Sequence, residues 1–252
     1  VTRPSKAAAL GMLARSFLWM RLYDSCFKYA GICLQIKSDL KNYNELTATA
    51  TFPFSTIRYT NPEDMANFIF NGPPGSLNQS RCKIDSLLYQ SYNANDLRKK
   101  VFYKTNTGTA VGTYAFKGSY YGSAAIYDGI TTAEVLLMRA ECFARAGNKD
   151  AALNDLNTLL NKRWSSTVPY VPVTAANAAD ALSKVLQERR KELVMRGLRW
   201  MDIKRLNKDG AGIVLKRIIN NQLYSLLPND KRYALPIPED VIALSGMQQN
   251  DR

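Results

Sequence analysis

TTAEVLLMRAECFARAGNKDAALNDLNTLLNKR, residues 131–163, decides the fold of this chain. It reads as two antiparallel helices joined by a short turn. Leu136, Ala140, Phe143 and Ala144 recur at helical spacing on one face of the first helix. Ala152, Leu153, Leu156, Leu159 and Leu160 do the same on the second. Gly147 can take the left-handed backbone that ends a helix, and Asn148 or Asp150 can cap the next one. Ala140 and Ala152 let two backbones approach, while Leu136, Phe143 and Leu156 fill the space around them. This large-small-large pattern is that of a tetratricopeptide hairpin. One hairpin cannot bury its own apolar face and needs stacked neighbours.

Residues 5–37 supply a second hairpin. Ser5 is a natural N-cap after Pro4. A shift of 126 residues lays Leu10 on Leu136, Ala14 on Ala140 and Phe17 on Phe143. The same shift lays Cys26 on Ala152, Ala30 on Leu156 and Cys33 on Leu159. Both cysteines thus stand where the repeat wants small or apolar residues. Seven residues apart on one helix, their Cα atoms are separated by about 10 Å, too far for a disulfide.

The rest of the chain is less regular. Residues 42–130 are expected to be a loop-rich insertion with a few short strands. Within it, Asn61, Pro62 and Glu63 read as the start of a short helix through Phe70. Residues 71–75, NGPPG, read as a turn. Short helices are expected within 80–92 and 94–98, and a strand over 101–103. Residues 105–129 are rich in Gly, Ser, Thr and Tyr. Beyond the central hairpin, a long helix is expected over 178–196, closed by Gly197, and another over 198–206. These signature helices occupy about 180–207. Residues 207–227 read as mixed, 233–238 as extended and 239–244 as a helical turn or two. The expected fold is mostly α: one domain over 1–252, with tetratricopeptide-like hairpins as scaffold and the loop-rich region beside them.

Composition removes several function classes. The chain has 252 residues, a formal charge of +13 and no histidine. Ser-His and Cys-His nucleophile pairs are therefore excluded. The four cysteines, Cys26, Cys33, Cys82 and Cys142, have no metal-like spacing, and no metal or cofactor is expected. Residues 1–127 carry 15 basic and 7 acidic side chains, and the remainder 19 and 14. The excess is spread out rather than gathered in a nucleic-acid-binding arm, so no nucleic-acid partner is expected. No run reaches the ~18 apolar residues of a membrane helix.

Two stretches carry polar chemistry. The first holds Glu188, Arg189, Glu192, Arg199, Trp200 and Asp202. Glu188 and Glu192 share a helix face, as a catalytic carboxylate pair would. The abundant arginines around them favour the other reading, a structural ion-pair network with Trp200 packed against it. The second stretch is 114–127, where Tyr120 and Tyr121 stand among glycines and hydroxyls. Aromatic rings with polar tips suit flat sugar faces; plain packing is the alternative. Trp164, just past a helix end, is the third candidate ligand contact. The region 59–70, beside the turn at 71–75, is a further one.

Four segments together resemble the SusD/RagB family of outer-membrane glycan-binding lipoproteins. They are RPSKAAALGMLARSFLWM (3–20), residues 131–163, VLQERRKELVMRGLRWMDIKRLN (185–207) and YALPIPEDVI (233–242). The resemblance covers the C-terminal portion of the family fold. The N-terminal half, with its lipid-bearing cysteine, is expected to be absent from this chain. It implies a non-catalytic, surface-exposed outer-membrane protein that captures oligosaccharides or other nutrients. It would pass them to a TonB-dependent, SusC-like transporter. Membrane association would come through the lipid anchor, which this chain does not carry. The family's glycan-contacting aromatics vary, so none is carried over by position. A tetratricopeptide-type peptide- or protein-binding adaptor is the alternative, and a glycoside hydrolase using Glu188 and Glu192 is a third.

Overall fold

The computed structural model describes residues 5–57, 60–70, 77 and 81–252. The turn expected at 71–75 and Tyr59 lie outside the described residues. The chain divides into two compact units, 1–197 and 198–252.

The first unit is built on helices α1 (Lys6–Trp19), α2 (Tyr23–Ile36), α3 (Ser86–Gln90), α4 (Arg98–Val101), α5 (Thr132–Arg145), α6 (Lys149–Asn161) and α7 (Ala178–Glu192). α1 packs on α2, α2 on α5, and α5 on both α6 and α7. The two hairpins read from the sequence therefore join one array. Their starts and stops are the expected ones. Ser5 Oγ accepts from the Ala8 N–H at 3.1 Å, and Asn148 Oδ1 accepts from Ala151 N–H at 3.0 Å. Gly147 takes φ +84° at the end of α5.

The array buries Ala14, Leu18, Cys26, Ala30, Leu136, Ala140, Ala152 and Leu156 in one core. A fully buried leucine such as Leu156 contributes roughly 1.5–3 kcal/mol over an exposed one. Thr131 caps α5, its hydroxyl accepting from the Glu134 N–H at 3.3 Å. In a capping box, Glu134 would turn back to the cap backbone. Here its carboxylate receives Arg15 from α1 instead, at 2.6 and 2.8 Å, while Arg15 also donates to the Gly129 carbonyl. That buried pair ties the first hairpin to the second. Arg139 and Asp155 make a bidentate pair between α5 and α6, both bonds 2.7 Å.

Short strands fill the insertion: β1 (Asp64–Ala66), β2 (Ile69–Phe70), β3 (Tyr103–Thr105), β4 (Tyr114–Phe116), β5 (Ile126–Tyr127) and β6 (Ile130–Thr131). They pair antiparallel as β1–β6, β2–β5 and β3–β4. The helix expected from Asn61 to Phe70 is replaced by β1 and β2. Asn61 does bind the Glu63 N–H through its side chain, but as a turn. The Glu63 carbonyl then accepts from Thr132 N–H at 3.0 Å, which commits the backbone to the second hairpin rather than to a helix. A second core of rings lies here: Tyr43, Phe54, Tyr92, Phe102, Tyr103, Phe116, Tyr120 and Tyr127. α7 also stops earlier than expected, at Glu192. Met195 (φ +56°) and Gly197 (φ +71°) turn the chain, and Val194 and Met195 pack against the ring core.

The second unit holds α8 (Arg199–Lys208), the hairpin β7 (Leu215–Ile219) and β8 (Gln222–Leu226), and α9 (Glu239–Ser245). Asn220 and Asn221 turn the hairpin with φ of +50° and +61°. Two successive positive φ values are those of the tight turn whose twist matches a hairpin.

Candidate functional site

The C-terminus of α6 places two consecutive side chains of opposite character. Arg163 is buried and Trp164 is half-buried. Arg163 is buried, with its guanidinium 4.0 Å from the Tyr43 ring. It donates to Glu192 Oε1 from two nitrogens, at 3.0 and 2.7 Å, to Glu63 Oε1 at 2.7 Å and to the Lys41 carbonyl at 2.8 Å. Arg98 closes the same cluster from the other side. It donates to Asp96, to Glu188 at 2.6 Å and to Glu192 Oε2 at 3.1 Å. Lys191 adds a bond to Glu188 at 2.7 Å.

Burial alone would raise the Glu192 carboxyl. Arg163 and Arg98 outweigh it, and Glu192 is held below the usual glutamate range. Glu188 behaves likewise, with burial opposed by Arg98 and Lys191. A glycosidase acid needs a carboxyl raised above its ordinary value. Neither glutamate meets that requirement. Around the two glutamates the fold brings in Arg98, Arg163 and Lys191. Arg189 is buried on α7. Arg199, Trp200 and Asp202 belong to the second unit, where Asp202 pairs with Arg205 at 2.9 Å and Trp200 packs on Tyr233 with ring centroids 4.9 Å apart.

Tyr120 extends the network rather than facing solvent. Only 2% of it is exposed. Its hydroxyl donates to Glu63 Oε2 at 2.9 Å, so the Tyr43 hydroxyl, 2.7 Å away, must donate to Tyr120. Its ring packs on Phe54 and Tyr127, and Arg196 lies 3.9 Å over it. The reason is local. Gly122 (φ +70°) brings the loop against the Phe54 and Ser55 backbone, within 2.6–2.7 Å of where a Cβ would stand. That close approach presses Tyr120 into the ring core. Tyr121 stays half-buried, its N–H on Ser119 Oγ at 3.3 Å.

Trp164 occupies a different loop and, like Tyr121, is half-buried. Its backbone is held from both sides. Leu97 N–H donates to the Arg163 carbonyl at 2.8 Å, and Ser165 N–H to Asn95 at 2.9 Å. The Asn44 amide donates to the Trp164 carbonyl and accepts from Ser166 N–H, at 2.9 and 2.8 Å. The indole N–H donates to the Val168 carbonyl at 3.1 Å, closing the loop on itself. The ring meets Tyr170 edge to face at 5.8 Å. Ser165 and Thr167 set their hydroxyls 2.8 Å apart beside it. The loop therefore presents two rings and two hydroxyls on a pinned backbone. Tyr170 was not singled out in the sequence, although it stands between Pro169 and Pro172, which stiffen its segment. Asn44 had no signal at all.

A separate concave groove of about 710 Å³ lies at the turn end of the helical array. Tyr23, Phe27, Phe143, Arg145 and Asn148 line it. Phe27 and Phe143 meet edge to face at 4.9 Å, and Arg145 lies 4.1 Å over the Tyr23 ring. Among the described residues, no cluster of His, Cys, Asp or Glu has the arrangement of a metal site. No helix among them is long and apolar enough to cross a membrane.

Comparison with known proteins gives the architecture its relatives. A SusD superfamily protein from Bacteroides thetaiotaomicron superposes with a TM-score of 0.71 at 21% identity, over 100% of this chain and 61% of that one. A SusD-like carbohydrate binding protein from Bacteroides vulgatus gives 0.65 at 20% identity, over 96% and 58%. Surface glycan-binding protein A from Bacteroides uniformis gives 0.69 at 16% identity, over 99% and 62%. The chain thus spans about 60% of the length of these structures. A search of curated proteins finds no match. The family model described as the SusD family matches residues 37–251, nearly the whole chain, and the protein belongs to that family.

Proposed function

We propose that this chain is the scaffold-bearing part of a non-catalytic protein that captures oligosaccharides at the cell surface. In this reading the protein sits on the outer membrane through a lipid anchor and hands its ligand to a TonB-dependent, SusC-like transporter. Two similar structures are of proteins described as carbohydrate-binding and glycan-binding. The observation that carries the reading in this chain is the Trp164–Tyr170 ring pair on its pinned loop, beside the Ser165 and Thr167 hydroxyls. A sugar offers flat C–H faces flanked by hydroxyls, and this surface offers rings flanked by hydroxyls. The ion-paired state of Glu188 and Glu192 supports binding without catalysis. Calorimetry against a panel of neutral and acidic oligosaccharides tests it. Binding that weakens in Trp164→Ala and Tyr170→Ala, with both still folded, supports the reading; unaltered binding places the site elsewhere.

The adaptor reading is favoured by one feature, the aromatic groove at Phe27 and Phe143. It predicts that an apolar helical peptide, rather than a sugar, competes for Phe27.

A further inference from the structure

The α2–α5 contact has a defined antiparallel register. Tyr23 of α2 meets Arg145 of α5 at 4.1 Å. One turn further along, Phe27 meets Phe143 at 4.9 Å. At the far end, a Cβ placed on Gly11 would touch both Cys33 and Val135. As the α2 number rises from 23 to 33, its α5 neighbour falls from 145 to 135. Cys26 therefore faces Cys142, each one residue before the Phe27–Phe143 pair. Both are buried in the same core, at 0% and 4% exposure, and all four cysteines are free thiols. The neighbouring Cys26 thiol, then burial, pushes Cys142 up.

We infer that Cys26 and Cys142 form a disulfide site that staples the first helical hairpin to the second. Access comes from the groove, because Cys142 lines its wall beside Phe27 and Phe143. The oxidant is a small-molecule disulfide of the glutathione class. During refolding, before burial pushes its pKa up, the Cys142 thiolate attacks one sulfur of the oxidant, forming a mixed disulfide and releasing one thiol. The Cys26 thiolate then attacks the Cys142 sulfur, forming the protein disulfide and releasing the second thiol. Two protein thiols lose two electrons and two protons, and the oxidant's disulfide gains them. Cys33 is not a competitor. It lies two turns away on α2, with its Sγ against the Ala7 carbonyl at 3.2 Å and Met65 Sδ at 3.5 Å.

Equilibrating the chain in a buffer of reduced and oxidised glutathione at pH 8.5, then alkylating and peptide-mapping it, tests the inference. A second sample refolded from denaturant in the same buffer removes access as a barrier. The expected result is loss of two of the four titratable thiols and recovery of a Cys26–Cys142 linked peptide. The melting temperature should rise by about 10 °C, and a reductant should reverse the rise. Cys26→Ala puts into α2 the residue that Ala152 occupies in the second hairpin, so this variant should fold. It should show no reversible rise. Four free thiols in both samples, or a bridge through Cys33 or Cys82, overturns the inference.

Discussion

Arg163 at the end of α6 donates two hydrogen bonds to one oxygen of Glu192 at the end of α7, at 3.0 and 2.7 Å. The same guanidinium holds Glu63, and Arg98 holds the other oxygen of Glu192. One buried carboxylate thereby locks the ends of two helices to the insertion. Removing a buried ion's partner leaves the other charge without compensation. Glu192→Gln should therefore lower unfolding stability by about 3–5 kcal/mol. Denaturant titration measures it. Ligand affinity per folded molecule should not change.

The same network sets a pH dependence. Glu188 and Glu192 are held below the range of an unfolded glutamate. Their contribution is fully present above the unfolded value, about 4.3. It is lost as pH falls through their depressed folded values, because the unfolded state binds protons first. Stability followed by circular dichroism should be flat in this respect near neutrality and fall below about pH 4. Glu192→Gln should flatten that fall.

Tyr120 bridges Tyr43 and Glu63 inside the ring core. Tyr120→Phe removes the donor from Glu63 and the acceptor from Tyr43. Its expected cost is about 1–3 kcal/mol of stability. A melting curve beside a calorimetric titration separates this from a ligand role: the melt should shift and the titration should not.

Trp164 should show the reverse. Trp164→Ala removes one ring of the Trp164–Tyr170 pair, and a lost aromatic contact costs on the order of 0.5–1.5 kcal/mol beyond its buried area. Oligosaccharide affinity should weaken while the array keeps its helical signal.

Ala140 is fully buried where α5 meets its neighbours. Ala140→Leu should overpack that contact and cost about 1–3 kcal/mol. Thermal unfolding that matches the parent would count against the close packing of the repeat.

The helical array was legible in the sequence because it depends on local spacing. Leu136, Ala140 and Phe143 share a face through helix geometry alone, and the first hairpin repeats their pattern 126 residues earlier. Ser5, Gly147 and Asn148 mark helix ends through their own side chains or backbone freedom. The ion network was legible only in part. Glu188 and Glu192 could be placed on one face, but their cations, Arg98 and Arg163, come from 94 and 29 residues away from Glu192. Charge attraction has no sequence period, so nothing in the spacing points to cations so far along the chain. Tyr120 and Trp164 were both candidate contacts, and nothing in their spacing separates them. Sequence by itself determined the repeat, its caps and the excluded chemistries. The tertiary structure alone decided that Tyr120 is buried while Trp164 is only half-buried. Burial follows from the loop's approach to Phe54, which the φ of Gly122 permits and no local pattern encodes.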